Sequence, residues 1–362
     1  MKTLLRRTIK YLQNYKHNKL YYNEISSNKN WLPLNNPKFL STKCQNIHSI
    51  SPSETQNFIS SFDTILTDCD GVLWVGGQAI EGSPEAIMRL RKLGKRIIFV
   101  TNNGMSRNDL LIRCQKLGFG GDISDMITSS YLCANYLKQA DFTRTVYVFG
   151  GKGLKEELDN AGIKNIGEGS DVPPDEWNLE TAENVINQMD DNVGCVIVGF
   201  HYDTSYIKLL KAVTYLHNPK VLFLATNSDP MAVIHFEHKT CIMPATGAFI
   251  SAVETASGRK ALILGKPKKF MFDAVKSVFP NIIPERTLMI GDRADTDVIF
   301  GKNSSVKTLM VGTGTNTLDD IRQWEKSKEE DIKELVPNFY SNSLIEIFQS
   351  KNCQDQLHEP FL

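Results

Sequence analysis

From Phe62 onward, apolar residues fall into short blocks separated by amphipathic stretches. Thr64-Ile-Leu-Thr67 is an apolar run that ends at Asp68. Ser83-Pro84-Glu85 then opens a predicted helix, with Ser as N-cap, Pro at the first helical position and an acid in the first turn. Ala86, Ile87, Leu90 and Leu93 give that helix an apolar face, and Gly94 is a stop signal. The run 96–100 follows as a second buried strand. Strand–helix–strand is the unit of a parallel sheet. Further strands are predicted at 146–149, 195–200, 221–225, 261–264, 287–290 and 306–311, most of them separated by helical stretches. The pattern is α/β. Pro173-Pro174 and Asn218-Pro219 punctuate loops, 323–334 reads as a solvated helix face, and 351–362 as a flexible tail.

The chain has 362 residues, 41% hydrophobic and 23% charged, which suits two domains better than one. Formal charge is zero, whereas a dedicated nucleic-acid binder is usually basic, so no nucleic-acid partner is expected. No apolar run is long enough to span a membrane. The zero hides an asymmetry. Of 41 basic and 41 acidic residues, nine and one fall within 1–50, leaving 32 and 40 for the remainder. Lys2, Arg6 and Lys10 recur at helical spacing, with Leu5, Ile9 and Leu12 on another face. Residues 1–50 are thus a basic extension that reads either as a mitochondrial transit peptide or as a disordered arm. The expected location is cytoplasmic, with the mitochondrial matrix as the alternative. Seven cysteines, an odd number with no C-x-x-C pair, argue for a reducing compartment and against a zinc site.

Candidate chemistry gathers where strands end. Thr67-Asp68-Cys69-Asp70-Gly71 places two carboxylates two residues apart beyond the first strand. Asp-x-Asp-Gly alone is weak, since turns and calcium loops use it, but Val72-Leu73-Trp74-Val75 is an apolar continuation that no calcium loop has. The run 96–100 ends in Thr101-Asn102-Asn103-Gly104, 261–264 in Gly265-Lys266-Pro267, and 287–290 in Gly291-Asp292-Arg293-Ala294-Asp295-Thr296-Asp297. Ligands of open α/β sheets bind beyond the carboxyl ends of strands, so the four ends point to one shared site. Clustered carboxylates call for a hard cation such as Mg2+. A cation, a hydroxyl, amides and a lysine together describe a phosphoryl cradle.

Asp68-x-Asp70-Gly-Val-Leu-Trp, Val100-Thr-Asn-Asn103, Gly265-Lys-Pro267 and Gly291-Asp-Arg-x-x-Thr-Asp297 resemble the four motifs of the haloacid dehalogenase superfamily. Within it the chain is similar to the phosphoglycolate, pyridoxal and 4-nitrophenyl phosphatase branch, with Val253-Glu-Thr-Ala-Ser-Gly-Arg259 and Lys208-Leu-Leu-Lys-Ala-Val-Thr-Tyr215 as further matching stretches. The resemblance implies a Rossmann-like parallel-sheet core with an inserted α/β cap domain. The core takes 51–143 and 260–350, and the cap 144–259. It implies Asp68 as nucleophile and Mg2+ ligand, and Asp70 as general acid/base with its backbone carbonyl on the metal. Thr101, Asn102 and Asn103 would bind phosphoryl oxygens, and Lys266 would hold nucleophile and phosphate. Asp292 would be a further Mg2+ ligand, and Asp297 would orient Lys266 or a metal-bound water. It also implies hydrolysis of small phosphorylated metabolites of the 2-phosphoglycolate kind through an aspartyl-phosphate, with 4-nitrophenyl phosphate turned over in vitro, and a homodimer formed through the cap.

Several residues fall outside that pattern. Relatives acting on pyridoxal phosphate carry a His shortly after the Asp-Pro that here is Asp229-Pro230, and Ala232 stands at the equivalent place. His235 and His238 are the nearest substitutes, and surface histidines the plainer reading, as for His201. Asp295 reads as an exposed acid at a helix start. Gly312-Thr313-Gly314-Thr315 lacks the ending of a phosphate loop and reads as a flexible turn after the last core strand. Cys69, between two candidate catalytic acids, is turned away from them by strand alternation. A phosphoprotein or nucleotide phosphatase is a further enzyme reading, disfavoured by the cap. A non-catalytic phosphate-binding dimer is the alternative of a different class.

Overall fold

The computed structural model describes residues 44–46, 52–169, 178–235 and 239–348. The basic extension up to residue 43, His238 and the tail beyond 348 lie outside the described residues. The chain lays down β1 (Gln45–Asn46), β2 (Thr64–Thr67), the short hairpin β3 (Trp74–Val75) and β4 (Gln78–Ala79), then β5 (Arg96–Thr101) and β6 (Met126–Thr128). It then enters a second body with β7 (Thr145–Phe149), β8 (Asn165–Ile166), β9 (Val193–Val198), β10 (Leu222–Ala225), the hairpin β11 (Met231–His235) and β12 (Thr240–Pro244), and β13 (Leu262–Ile263). It returns with β14 (Thr287–Gly291), β15 (Lys307–Val311) and β16 (Phe339–Ser341).

The core sheet runs β1-β16-β15-β14-β2-β5-β6, every neighbouring pair parallel. The cap sheet runs β13-β10-β9-β7-β8, also parallel. Parallel strands need helical crossovers and are buried on both faces, which is why they read as apolar blocks rather than as alternating ones. Alternation survives as a division of labour between the two faces. Leu66, Ile98, Val100 and Met289 enter one apolar cluster, while Ile65, Ile97, Phe99, Leu288 and Ile290 enter the other. The first cluster continues into the cap through Val146, Val148, Cys195, Ile197 and Leu224. Core and cap therefore share buried surface.

The differences from expectation are local. Ser83 does not cap its helix. Gly82, at φ 75, precedes Ser83–Lys92, and Ser83 Oγ donates instead to Leu73 O (2.8 Å) and Ile80 O (2.6 Å), fastening the β3–β4 hairpin. The strand predicted at 261–264, expected in the returning core, is β13 and pairs with β10, so the cap sheet reaches past residue 259. β15 is not the last core strand, since β16 follows it in the sheet. The charged stretch 323–334 divides between the helices Leu318–Lys326 and Glu330–Lys333.

Candidate active site

β2 sits between β14 and β5, and the register aligns Thr67 with Ile290 and with Phe99. The residues just beyond these strands are thereby brought together. Asp68 N donates to Ile290 O (2.8 Å), so the nucleophile candidate is still on the ladder. Its Oδ1 accepts from Cys69 N (2.8 Å) and Lys266 Nζ (2.9 Å). Its Oδ2 has no hydrogen-bond partner among the described residues. Cys69 is fully buried in the apolar cluster behind, and burial pushes its thiol well above the ordinary range, as suits filler rather than chemistry.

The chain then turns sharply. Gly71 has φ 82, and a Cβ there would lie 2.6 Å from the Asp292 carboxyl. Only glycine fits both constraints. Asp70 ends up exposed, one oxygen held by Trp74 Nε1 (2.9 Å) and the other by Asn103 Nδ2 (3.3 Å). Trp74 itself is 1% exposed, so the indole is a fixed donor on a rigid ring.

Beyond β5, Thr101 Oγ1 accepts from Asn103 N (3.0 Å). Two serines at the start of the helix Ser129–Gln139 hold this loop. Ser129 Oγ donates to Asn102 O (2.8 Å), and Ser130 Oγ to Gly104 O (2.8 Å). The side chain of Asn102 is committed elsewhere. Its Nδ2 donates to Lys266 O (3.1 Å) and Asp229 Oδ2 (3.1 Å), and its Oδ1 accepts from Lys266 N (2.8 Å).

Lys266 is 1% exposed, and its Nζ bridges Asp68 Oδ1 and Asp297 Oδ1 (2.7 Å). Burial alone would push the ammonium down, but Asp297 and Asp68 outweigh it and raise it above the lysine range. Asp297 lies in a wide, π-type helical turn, Ala294–Val298. Its second oxygen accepts from Asp292 N (3.2 Å) and Arg293 N (3.1 Å), so both oxygens are engaged. Asp292 Oδ2 accepts from Thr315 N (2.7 Å). Asp295 stands outside this group, exposed and paired with Arg293 (2.8 Å).

Asp68, Asp292 and Asp297 carry oxygens within 4.8 Å of one another, against the single ammonium of Lys266. The imbalance shows in the acids. Burial, opposed by Lys266 and reinforced by the charges of Asp297 and Asp292, holds Asp68 well above the usual carboxylate range. Burial and then Asp297 push Asp292 up to about 6. An all-oxygen, net-negative pocket of this kind fits a hard divalent cation. Asp68 and Asp292 are the residues best placed to hold it, because Asp297 already takes hydrogen bonds on both of its oxygens.

Two parts of the site carry no motif. Thr313 Oγ1 donates to Gly71 O (2.6 Å), Thr315 N holds Asp292, and a Cβ at Gly314 would lie 2.1 Å from Asp292 Oδ2. The supposed flexible turn is thus a wall of the site. Asp229 reaches in from the cap, between β10 and β11. The segment after Asp229-Pro230 is the strand β11, where Ala232 is exposed opposite Met243. His235 ends that strand, and His201 is half-buried, its Nδ1 on Asp203 O (2.9 Å).

A family model described as haloacid dehalogenase-like hydrolase matches residues 65–164, and a related HAD-hydrolase-like model matches 263–340. The glycerol-3-phosphate phosphatase of Mus musculus is 36% identical over 311 residues, 82% of this chain and 94% of that protein. Chronophin of Homo sapiens is 37% identical over 293 residues, 78% and 91% of the two chains. Among solved structures, NagD from E. coli K-12 aligns with a TM-score of 0.62 at 26% identity, covering 79% of this chain and 98% of that one. The p-nitrophenyl phosphatase from Archaeoglobus fulgidus shares the fold with a TM-score of 0.64 at 24% identity, covering 79% and 98%.

Proposed function

Because the chain belongs to the haloacid dehalogenase-like hydrolases, we propose that it is a Mg2+-dependent phosphatase of small aliphatic phosphomonoesters, with glycerol phosphate and 2-phosphoglycolate as the first substrates to try. The observation that carries this reading is the division between the two acids. Asp68 is on the ladder and fixed by Lys266, whereas Asp70 is exposed and held by Trp74 and Asn103. Two carboxylates with opposite tasks need such different surroundings.

In this reading an oxygen of Asp68 attacks phosphorus, the ester O–P bond breaks, and the proton for the departing alkoxide comes from Asp70. Asp70 then takes a proton from water, whose oxygen attacks the aspartyl-phosphate, releasing inorganic phosphate and restoring Asp68. Lys266 keeps Asp68 aligned and offers positive charge to the phosphoryl oxygens. The Thr101 hydroxyl and the backbone N–H of Asn102 receive those oxygens, with Asn103 N–H joining them if it leaves Thr101 Oγ1, since the Asn102 side chain is already bonded. Asp68, the Asp70 carbonyl and Asp292 would hold Mg2+. The metal supplies charge neutralisation of the phosphoryl group. The cap excludes water and large substrates. Exposed Met231 and Ile242 on the β11–β12 hairpin favour a homodimer through the cap. Pyridoxal phosphate is the weaker substrate, with Ala232 where a histidine is wanted.

The test is release of 4-nitrophenol from 4-nitrophenyl phosphate with and without Mg2+, followed by a panel of glycerol phosphate, phosphoglycolate and pyridoxal phosphate. Wild type is expected to be Mg2+-dependent, and Asp68→Asn to lose at least about 10³-fold in kcat with an unchanged circular dichroism spectrum. Equal release by both proteins would sink the reading and leave a phosphate-binding dimer in its place.

A further inference from the structure

Asp229 belongs to the cap but is bonded to the core. Within the cap it is firmly fixed. Its carbonyl accepts from Gly247 N (2.8 Å) at the start of the helix Thr246–Ser257, and its Oδ2 accepts from Asn227 Nδ2 (2.7 Å). The same Oδ2 accepts from Asn102 Nδ2 in the core, and Oδ1 faces Arg293 Nη1 at 3.5 Å. The Arg293 contact is the weaker one, because charge-assisted N–H···O bonds run at about 2.7–2.9 Å, and Asp295 already holds that guanidinium. The link that matters is therefore to Asn102.

Asn102 in turn brackets the backbone of Lys266, giving its Nδ2 to Lys266 O and its Oδ1 to Lys266 N. Gly265 allows this close approach, since a Cβ there would lie 2.6 Å from Asn102 Oδ1. The orientation of the amide decides the outcome. Flipped by half a turn, Asn102 would present NH2 to the N–H of Lys266 and an oxygen to its carbonyl, two repulsive contacts. A carboxylate accepts hydrogen bonds and cannot donate them. Asp229 therefore admits only one face of Asn102, the one that leaves Oδ1 for Lys266.

We propose that Asp229 is a positioning residue that ties closure of the cap to the pose of Lys266, by reinforcing from the cap the one orientation of the Asn102 amide that fits the Lys266 backbone. The inference rests on the phosphatase reading for its consequence in rate, though not for its geometry. With the cap closed, Asp229 sets Asn102, Asn102 sets the Lys266 backbone, and Lys266 Nζ sets Asp68. With the cap open, Asn102 loses its cap-side acceptor and is held by the backbone of Lys266 alone.

The experiment compares Asp229→Ala and Asp229→Asn with wild type, using 4-nitrophenyl phosphate with Mg2+ and amide hydrogen exchange of residues 101–106 and 264–268 by mass spectrometry. Asparagine at 229 can turn either of its own ends toward Asn102, so it tests orientation rather than mere contact. Asp229→Ala is expected to lower kcat by about 10²-fold, the cost of a misplaced catalytic group, with KM within about threefold, and Asp229→Asn to fall between it and wild type. Both segments are expected to exchange faster in Asp229→Ala, at unchanged melting temperature. A kcat equal to wild type, or faster exchange confined to 226–230 with 264–268 unmoved, would overturn the proposal and leave Asp229 a local brace of the cap loop. If wild type itself releases no 4-nitrophenol, the phosphatase reading falls, and the exchange at 264–268 still decides the coupling.

Discussion

Asp297 gives one oxygen to Lys266 Nζ and the other to the backbone N–H groups of Asp292 and Arg293, so a single carboxylate sets the height of the lysine and the shape of the loop that carries Asp292. Removing its charge leaves Lys266 buried with Asp68 as its remaining carboxylate. Breaking a buried pair from one side costs about 3 kcal/mol, and Asp297→Asn is expected to lose that much in urea unfolding of the metal-free protein. Calorimetric titration with Mg2+ should show affinity lower by about tenfold or more, since partners that orient a metal ligand matter at that level. At this scale Asp68 and Asp292 were legible because each stands at the end of an apolar run, and Asp297 through the motif it shares with Asp292. Thr315 and Asp229 were not. Thr315 acts through its backbone N–H, which every residue but proline has, and Asp229 meets Asn102 across 127 residues of chain.

The β3–β4 hairpin is an element too short to read from periodicity, and it carries the most telling indole in the molecule. Trp74 packs on Phe119 at 5.7 Å between ring centroids and lies under Arg113, while its Nε1 holds Asp70. Trp74→Phe keeps an aromatic ring there and deletes that hydrogen bond. A bond to a charged group is worth about 1.5 kcal/mol at least, so kcat should fall roughly tenfold, with KM and thermal stability changed little. A second element-level contact joins the starts of β2 and β14, where Arg286 grips both oxygens of Asp63. The hydrogen bond from Arg286 lowers the Asp63 carboxyl below its ordinary value. The stabilisation is therefore present above the unfolded aspartate range and lost as pH falls through the folded value. Arg286→Ala should lower the melting temperature modestly at pH 7, by a difference that shrinks as the pH falls below the ordinary aspartate value. Buried strands such as β2, β5 and β14 were readable from their apolar runs alone. Ser83 misled because its N-cap signature is equally a signature for tying down a neighbouring turn.

For the whole molecule, the decisive region is where cap meets core. Glu157, buried in the cap helix Lys152–Asn160, takes hydrogen bonds from Arg107 N (2.6 Å) and Arg107 Nε (3.2 Å), and Arg107 lies 4.0 Å over the Tyr131 ring. Beside it the two bodies touch backbone to backbone. A Cβ on Gly153 would lie 2.3 Å from Gly104 O and 2.6 Å from Ser106 N. Neither atom can yield as a side chain would, so Gly153→Val should pry the cap away at this end. The expected result is a larger radius of gyration by small-angle X-ray scattering, together with a kcat lower by about tenfold or more as the gap lets the site misalign. An unchanged scattering profile would mean that the contact is not a fixed pivot. The inserted body was legible because Thr101 and Lys266 are too far apart for one crossover. Its edge was not, because a two-residue strand such as β13 has the same composition whichever sheet receives it.

The pairing of β2 with β14 has a consequence for how the chain comes off the ribosome. Asp63 and Arg286, at the starts of these strands, are 223 residues apart. At about 5–20 residues per second, roughly 10–45 s of translation separate them. For that interval β2 has β5 on one side and an unpaired edge on the other, while the entire cap is being made. A nascent chain halted before Thr287 would hold Asp68 and Lys266 without Asp292 or Asp297, two of the three clustered carboxylates. Such a chain would also be a natural client for chaperones that shield open strand edges.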